Sequence, residues 1–394
     1  MMKRKILALA LAAAMLAALL AGCAGGTAVN TREEVTIGIL APKTGDASQF
    51  GVAVYQGLTL YIEQFNAQDN GLQIHTRLFD EEGLPERAVI GYNSLVDFGV
   101  TAIIGSVTSG PTMAVVPRAF EDGMPMITAT ATHANVTVNA EDGSVFTNMF
   151  RACFIDPYQG EKMALFAVEE LGATTAAILY SHEIDYSVGL KNAFVQKAGE
   201  LGLEIVAEER FADQAVDFRA QLTNIAQASP DVLFVPAYYR HVGLIGPQSA
   251  EVGLDDTTFL GADGWATIGD FMGDTSSIEG AYFLTGFSPD AEDAMVQQFI
   301  ADYTQRWGEA PNMFAAQAFD AAMILIAAIQ RTLAADTDIV PGSDEFKAAL
   351  IAQMAVTDLT GVTGHVTFDA YNNPQKTAVI LNMVDGKETF WGYF

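Results

Sequence analysis

Cysteine is almost missing from this chain: its 394 residues hold two, Cys23 and Cys153. Cys23 closes a secretory leader, so Cys153 has no partner, and both a disulfide framework and a cysteine metal site are excluded. Cys153 reads as a buried structural thiol. The 5 histidines, His75, His133, His182, His241 and His365, are scattered without metal-ligand spacing, and no metal is expected. Cations are scarce too. Against 48 Asp and Glu stand 20 Lys and Arg, a net charge of −28, and so acidic a body offers nucleic acid no basic face.

Catalytic signatures are equally absent. There is no HExxH, no GxxxxGK[ST] phosphate loop, and no GxGxxG after the first expected strand, so a dinucleotide cofactor has no site. The loop at residues 105–110, GSVTSG, misses the G-x-S-x-G spacing of a nucleophile elbow. The carboxylate pairs Glu81-Glu82 and Asp255-Asp256 lie among turn residues and read as solvated loops rather than acid–base pairs. After residue 20 no run is expected to be long and apolar enough to cross a bilayer, which takes about 20 residues. What remains is a chain that holds something without transforming it.

The N-terminus is informative. Lys3, Arg4 and Lys5 form a basic region, residues 6–20 are almost wholly apolar, and Leu20-Ala21-Gly22-Cys23 has the small residues of a cleavage site. The LAGC ending resembles the bacterial lipobox, in which the cysteine is acylated. The expectation is a lipoprotein leader at residues 1–22, a flexible tether at 23–34, and an extracytoplasmic body anchored through Cys23. Removing the leader takes three cations with it and moves the charge to −31. The body is long enough for about two domains.

From residue 35 strand and helix patterns alternate. Expected strands fall at 35–40, 74–80, 101–105, 124–128 and 146–151, with helices at 54–66 and 85–97 and a third opened by Gly110-Pro111. Pro117 inside that helix predicts a kink or an early end. A second series follows: helix 159–171, strand 175–180, helix 187–201, strand 204–211, helix 216–228, strand 231–235, helix 241–253, and strands 258–261 and 280–285. Helices at 291–307, 313–333 and 343–353 precede terminal strands at 364–369, 377–384 and 388–393. Two βα series imply two doubly wound α/β lobes.

Residues 101–132 stand out. Two small-residue loops, 105–110 and 128–132, each follow an expected strand and offer hydroxyls and unhindered N–H groups. Ligands bind at the carboxyl ends of strands in open α/β sheets, and helix N-termini favour anions. A grip for a small anion or carboxylate is expected here.

The ordered series IGILAPKTGDASQFG, GLTLYIEQFN, LFDEEGLPERAV, IIGSVTSG, MITATAT, FRACFIDPYQG and GHVTFDAYNNPQK resembles one family. It is that of the ABC-transporter substrate-binding lipoproteins of the branched-chain amino-acid (leucine/isoleucine/valine) group. The resemblance implies a type I periplasmic-binding fold with three crossovers: lobe 1 from 35–151 plus 286–360, lobe 2 from 152–285 plus 361–394. It implies a ligand carboxylate held by the Ser109 hydroxyl and backbone, the Thr130 backbone and the Thr132 side chain, and an ammonium held by Asp263. Tyr186 would close over the ligand, Tyr238 would touch it, and Phe50 and Phe314 would line the side-chain pocket. Each has a plainer alternative: helix-capping hydroxyls, an Asp-Gly turn, packing aromatics. Trp265 stacks on the ligand or braces its loop. The implied partners are a small amino acid and the permease and ATPase subunits of a transporter, with the protein a monomer. The chain departs from some relatives in lacking a cysteine pair near the first loop and in carrying Asp where they have Glu. A non-amino-acid carboxylate, or signalling to a membrane kinase, are the alternatives.

Overall fold

The computed structural model describes residues 33–394. The leader, Cys23 and most of the expected tether lie outside the described residues. Glu33 and Glu34, expected in the tether, already belong to the first strand.

The first lobe is built on β1 (Glu33–Ala41), β2 (Leu72–Asp80), β3 (Ala102–Ile104), β4 (Met126–Thr128) and β5 (Met149–Arg151), all parallel in the order β2-β1-β3-β4-β5. The connecting helices are α1 (Ser48–Asn66), α2 (Pro85–Phe98) and α3 (Ser109–Glu121). Buried on both faces, β3, β4 and β5 carry no exposed residue, as strands covered by helices on either side do. Helix α3 neither stops nor shortens at Pro117. Val115, Val116 and Ala119 are fully buried around it, and that packing outweighs the one backbone bond a proline removes.

The chain then crosses to the second lobe: α4 (Asp156–Glu169), β6 (Thr175–Ser181), α5 (Asp185–Leu201), β7 (Glu204–Phe211), α6 (Arg219–Ala228), β8 (Val232–Phe234), α7 (Tyr239–Glu251), β9 (Thr258–Gly261), α8 (Ile268–Met272) and β10 (Tyr282–Thr285). It returns for α9 (Ala294–Trp307), α10 (Met313–Ala335) and α11 (Asp344–Ala355), of which α9 and α10 pack on α1. A hairpin follows, β11 (Asp358–Gly361) with β12 (Gly364–Thr367), and then β13 (Val379–Val384) and β14 (Lys387–Tyr393). The second sheet runs β14-β13-β10-β9-β8-β6-β7, with β13 and β14 antiparallel and the rest parallel. Within residues 364–369, expected as a strand, Gly364–Thr367 pair with β11, a strand the sequence pattern did not reveal, and Phe368 bridges Pro374.

Two expectations need correction. Helix α10 is long and apolar enough to cross a bilayer, but 83% of its most apolar stretch is buried inside the protein. It is a core helix whose apolar surface all round is explained by that burial. Glu81 is not solvated: it is fully buried, accepting the Ser106 hydroxyl at 2.5 Å and the Gly83 N–H at 2.7 Å. Burial pushes its carboxyl up to about 6 against those bonds. Glu81 therefore ties the loop after β2 to the loop after β3, while Asp255 and Asp256 are exposed.

The third crossing is pinned by a side chain. Asp320 of α10 is fully buried and accepts the N–H groups of Val362 at 2.8 Å and Thr363 at 2.9 Å, and also the Thr363 hydroxyl. Lys376 Nζ donates to that hydroxyl oxygen at 2.6 Å, supplying a charge to offset a buried carboxylate. A Cβ on Gly361 would lie 2.2 Å from Asp320 Oδ1, so only glycine lets the hairpin approach so closely.

Candidate functional site

Each lobe has one point where its strand order reverses. In the first sheet β1 and β3 lead in opposite directions, in the second β6 and β8, and ligands bind at the strand ends beside such points. The residues after β3, β4, β8 and β9 all reach one small cavity between the lobes. It is lined by Phe50, Val107, Thr108, Ser109, Thr130, Thr132, Tyr186, Tyr238, Asp263, Gly264 and Phe314. All eight ligand contacts expected from the sequence therefore meet around one space.

The first lobe contributes hydroxyls and amides. Ser109 opens α3, whose N-cap Thr108 makes no side-chain cap bond, so the first N–H groups of the helix have neither an intrahelical nor a side-chain cap partner. The Ser109 hydroxyl does not cap its own helix; it accepts the His133 N–H at 3.3 Å. The Thr130 hydroxyl is committed to Val107 O at 2.6 Å, and its backbone N–H donates to Thr128 Oγ1 at 3.3 Å. Arg151, fully buried, holds this loop from behind: Nη1 donates to Ala131 O and Nη2 to His133 O, both at 3.0 Å. Cys153 is buried beside it, its thiol pushed up to about 12 by burial and 3.4 Å from Ala131 O.

The second lobe contributes acid and phenol. Tyr186 Oη donates to Asp263 Oδ1 at 2.6 Å and accepts the Gly264 N–H at 2.8 Å. The Asp263 N–H donates to Gln159 Oε1 at 3.0 Å. Gly264 has to be glycine, since a Cβ there would lie 2.8 Å from Tyr186 Oη. Tyr186 stacks on Tyr238 at 4.7 Å, and Phe50 stacks on Phe314 at 4.2 Å and meets Tyr238 edge-on at 5.6 Å. These four rings wall the cavity. Trp265 does not line it: fully buried, it donates Nε1–H to Val235 O at 2.8 Å and braces the loop.

Burial sets the electrostatics. Asp263, 2% exposed, has its carboxyl pushed up to about 6 by burial, with the Tyr186 hydroxyl pulling it back. The phenols of Tyr186 and Tyr238 are held well above 10, first by burial and then by neighbouring carboxylates, so both stay protonated as donors.

One residue escaped the sequence reading. Asp156, the first residue of α4, is fully buried, and neither carboxylate oxygen has a hydrogen-bond partner among the described residues. Burial holds its carboxyl well above the ordinary range; the Thr132 hydroxyl lies close enough to ease ionisation without reaching hydrogen-bonding geometry. It acts electrostatically on Asp263, Tyr186 and Tyr238. Asp-Pro at a helix start looks like ordinary punctuation; the available signal was its place directly after the apolar residues Ala152-Cys153-Phe154-Ile155.

Two α/β lobes whose switch points close on one buried polar cavity define a solute-binding protein. The periplasmic binding protein family matches residues 34–388, and the chain belongs to that family. The Leu/Ile/Val-binding protein BraC3 of Rhizobium johnstonii is 26% identical over 305 residues, 77% of this chain and 81% of BraC3. Among solved structures, the leucine-binding protein LivK of Thermotoga maritima aligns with TM-score 0.82 and 29% identity, covering 91% of this chain and 98% of LivK. LivJ of Streptococcus pneumoniae, a branched-chain amino acid transporter substrate-binding protein in complex with isoleucine, aligns with TM-score 0.80 and 27% identity, covering 92% and 100%. A benzoate-bound solute-binding protein from R. palustris shares the fold at TM-score 0.80 and 22% identity, covering 91% and 96%. These relatives are binding proteins, not enzymes.

Proposed function

We propose that this chain captures a small amino acid, branched-chain or related, by hinge closure and delivers it to an ABC permease. The ligand carboxylate meets the Ser109 helix start, the Thr130 backbone and the Thr132 hydroxyl. The ammonium meets Asp263, with Tyr186 and Tyr238 closing over it and Phe50 and Phe314 walling the side chain. The lobes divide as 35–151 with 286–360 and 152–285 with 361–394. Acylated Cys23 anchors the protein, a monomer, to the outer face of the cell membrane.

One observation supports an amino acid over a plain carboxylate such as benzoate: Asp263 lines the cavity, and the fully buried Asp156, without a hydrogen-bond partner among the described residues, acts on it electrostatically. A ligand bearing only a carboxylate brings negative charge into a low-dielectric space and no cation to meet Asp263. A zwitterion instead brings a cation to the acids and an anion to the helix start.

Calorimetry of the chain from Cys23 onward, against the common amino acids and a set of benzoates, tests this reading. At least one amino acid should bind with a dissociation constant well below millimolar. Tight benzoate binding with no amino acid bound would sink it. For the anchor, Cys23→Ser should move the protein from the membrane fraction to the soluble one, because stable attachment needs the acyl chains.

A further inference from the structure

At the mouth of the cleft the second lobe reaches across to the first through contacts that involve no ligand. The first two residues of α7, Tyr239 and Arg240, meet residues 46–50 at the start of α1. Arg240 Nη1 lies 3.0 Å from Asp46 Oδ2, with the side chains 23% and 64% exposed. Tyr239 Oη donates to Asp46 O at 2.7 Å and takes the Gln49 N–H at 3.4 Å. Further along, the Thr267 hydroxyl donates to Gln49 Oε1 at 2.9 Å.

Both halves are firm before they meet. Asp80 accepts the N–H groups of Lys43 at 2.8 Å and Thr44 at 3.3 Å, and the Thr44 hydroxyl at 2.8 Å, which fixes the loop leading to Asp46. On the other side the Tyr239 ring leans on Phe271 at 5.1 Å. Helix α1 begins at Ala47 without a side-chain cap, so its first amides want acceptors. The Tyr239 hydroxyl, from the opposite lobe, is one. The same ring stands edge-on to Phe50 at 4.7 Å and 89°, and Phe50 is a wall of the cavity.

We propose that Tyr239 and Arg240 are positioning residues that form a clasp across the cleft mouth. The clasp holds the lobes closed and seats Phe50, so the closed arrangement is populated before ligand arrives and ligand escapes only when the clasp releases. A ligand then shifts an existing equilibrium instead of building the closed state. The clasp does not depend on which ligand the protein takes. Its exposed ion pair is screened by salt, while the Tyr239 bonds, on a residue 3% exposed, are not.

The test measures the distance across the mouth. Glu86 and Gln214 are exposed on opposite lobes, beside Pro85 on the rim of one opening. Spin labels at Glu86→Cys and Gln214→Cys, in a Cys23→Ser background with Cys153 buried, report the closed-to-open ratio by double electron–electron resonance. Without added ligand the parent should show both a short and a long distance. Tyr239→Phe and Arg240→Gln should each lower the ratio about threefold, the scale of one partly exposed bond or pair. Arg240→Lys should restore most of the ratio, and added salt should lower it in the parent but not in Arg240→Gln. Identical ratios in parent and variants, or a parent with no short distance, overturn the clasp. Repeating the series with L-leucine separates the two readings: a leucine that moves no distribution counts against the amino-acid ligand, while the ligand-free series still decides the clasp.

Discussion

Asp263 is tuned at a cost to the empty protein. Its folded carboxyl is raised to about 6 by burial, so the fold favours the protonated form. Its stabilising contribution is present below the ordinary carboxylate range and is lost as pH rises through about 6. At neutral pH the ionised group therefore weighs on the ligand-free fold. Asp263→Asn should raise the stability of the empty protein by about 1–3 kcal/mol at neutral pH, read from the urea midpoint. The same change should weaken amino-acid binding by about 2–5 kcal/mol in calorimetry, since the ammonium loses its counter-charge. Opposite signs in the two measurements identify a residue kept for binding; equal signs would mark it as structural. The pH dependence carries its own sign. Ammonium binding favours ionised Asp263, so affinity should fall as pH drops below about 6, by up to about tenfold per unit, and Asp263→Asn should flatten that window.

Among the elements, the sequence spoke most clearly where a strand is buried on both faces and least where tertiary packing overrides local chemistry. The runs at β1, β6 and β9 were legible because buried, mostly apolar residues follow one another there. Strand β11 was not, because what pins its turn into β12 is Asp320, some forty residues earlier on another element. Gly361→Ala tests that pin. Its Cβ would meet the Asp320 carboxylate at 2.2 Å, so the variant should lose about 1–3 kcal/mol in urea unfolding. Stability equal to the parent would mean the hairpin is held by other contacts. Pro117 and α10 depart from expectation for one reason: burial inside a lobe permits an interior proline and a long, largely apolar helix that isolated sequence rules read as an ending or as unremarkable.

For the whole molecule, the two-lobed plan followed from two successive βα series, and the eight expected contacts do surround one cavity. What the pattern could not supply is relative placement. Nothing local tells that Asp156 sits behind Thr132, or that Tyr239 reaches across to Asp46, because both relations arise only when two separately wound sheets face each other. Glu81-Glu82 illustrates the same limit within one lobe: turn chemistry was right about the backbone and wrong about where one side chain points.

Trp265 gives this protein a built-in optical signal. The chain has 3 tryptophans, and they occupy unlike surroundings. Trp391 is 40% exposed, and Trp307 lies under the Arg306 guanidinium at 4.1 Å. Trp265 alone is sealed in an apolar core, two residues from Asp263, with its indole N–H tied to the strand end that leads to Tyr238. Any shift of the Asp263 turn on closure is carried straight to that indole. Its blue-side emission should therefore report occupancy of the cavity, while the other two indoles supply a steady red-side reference in the same spectrum.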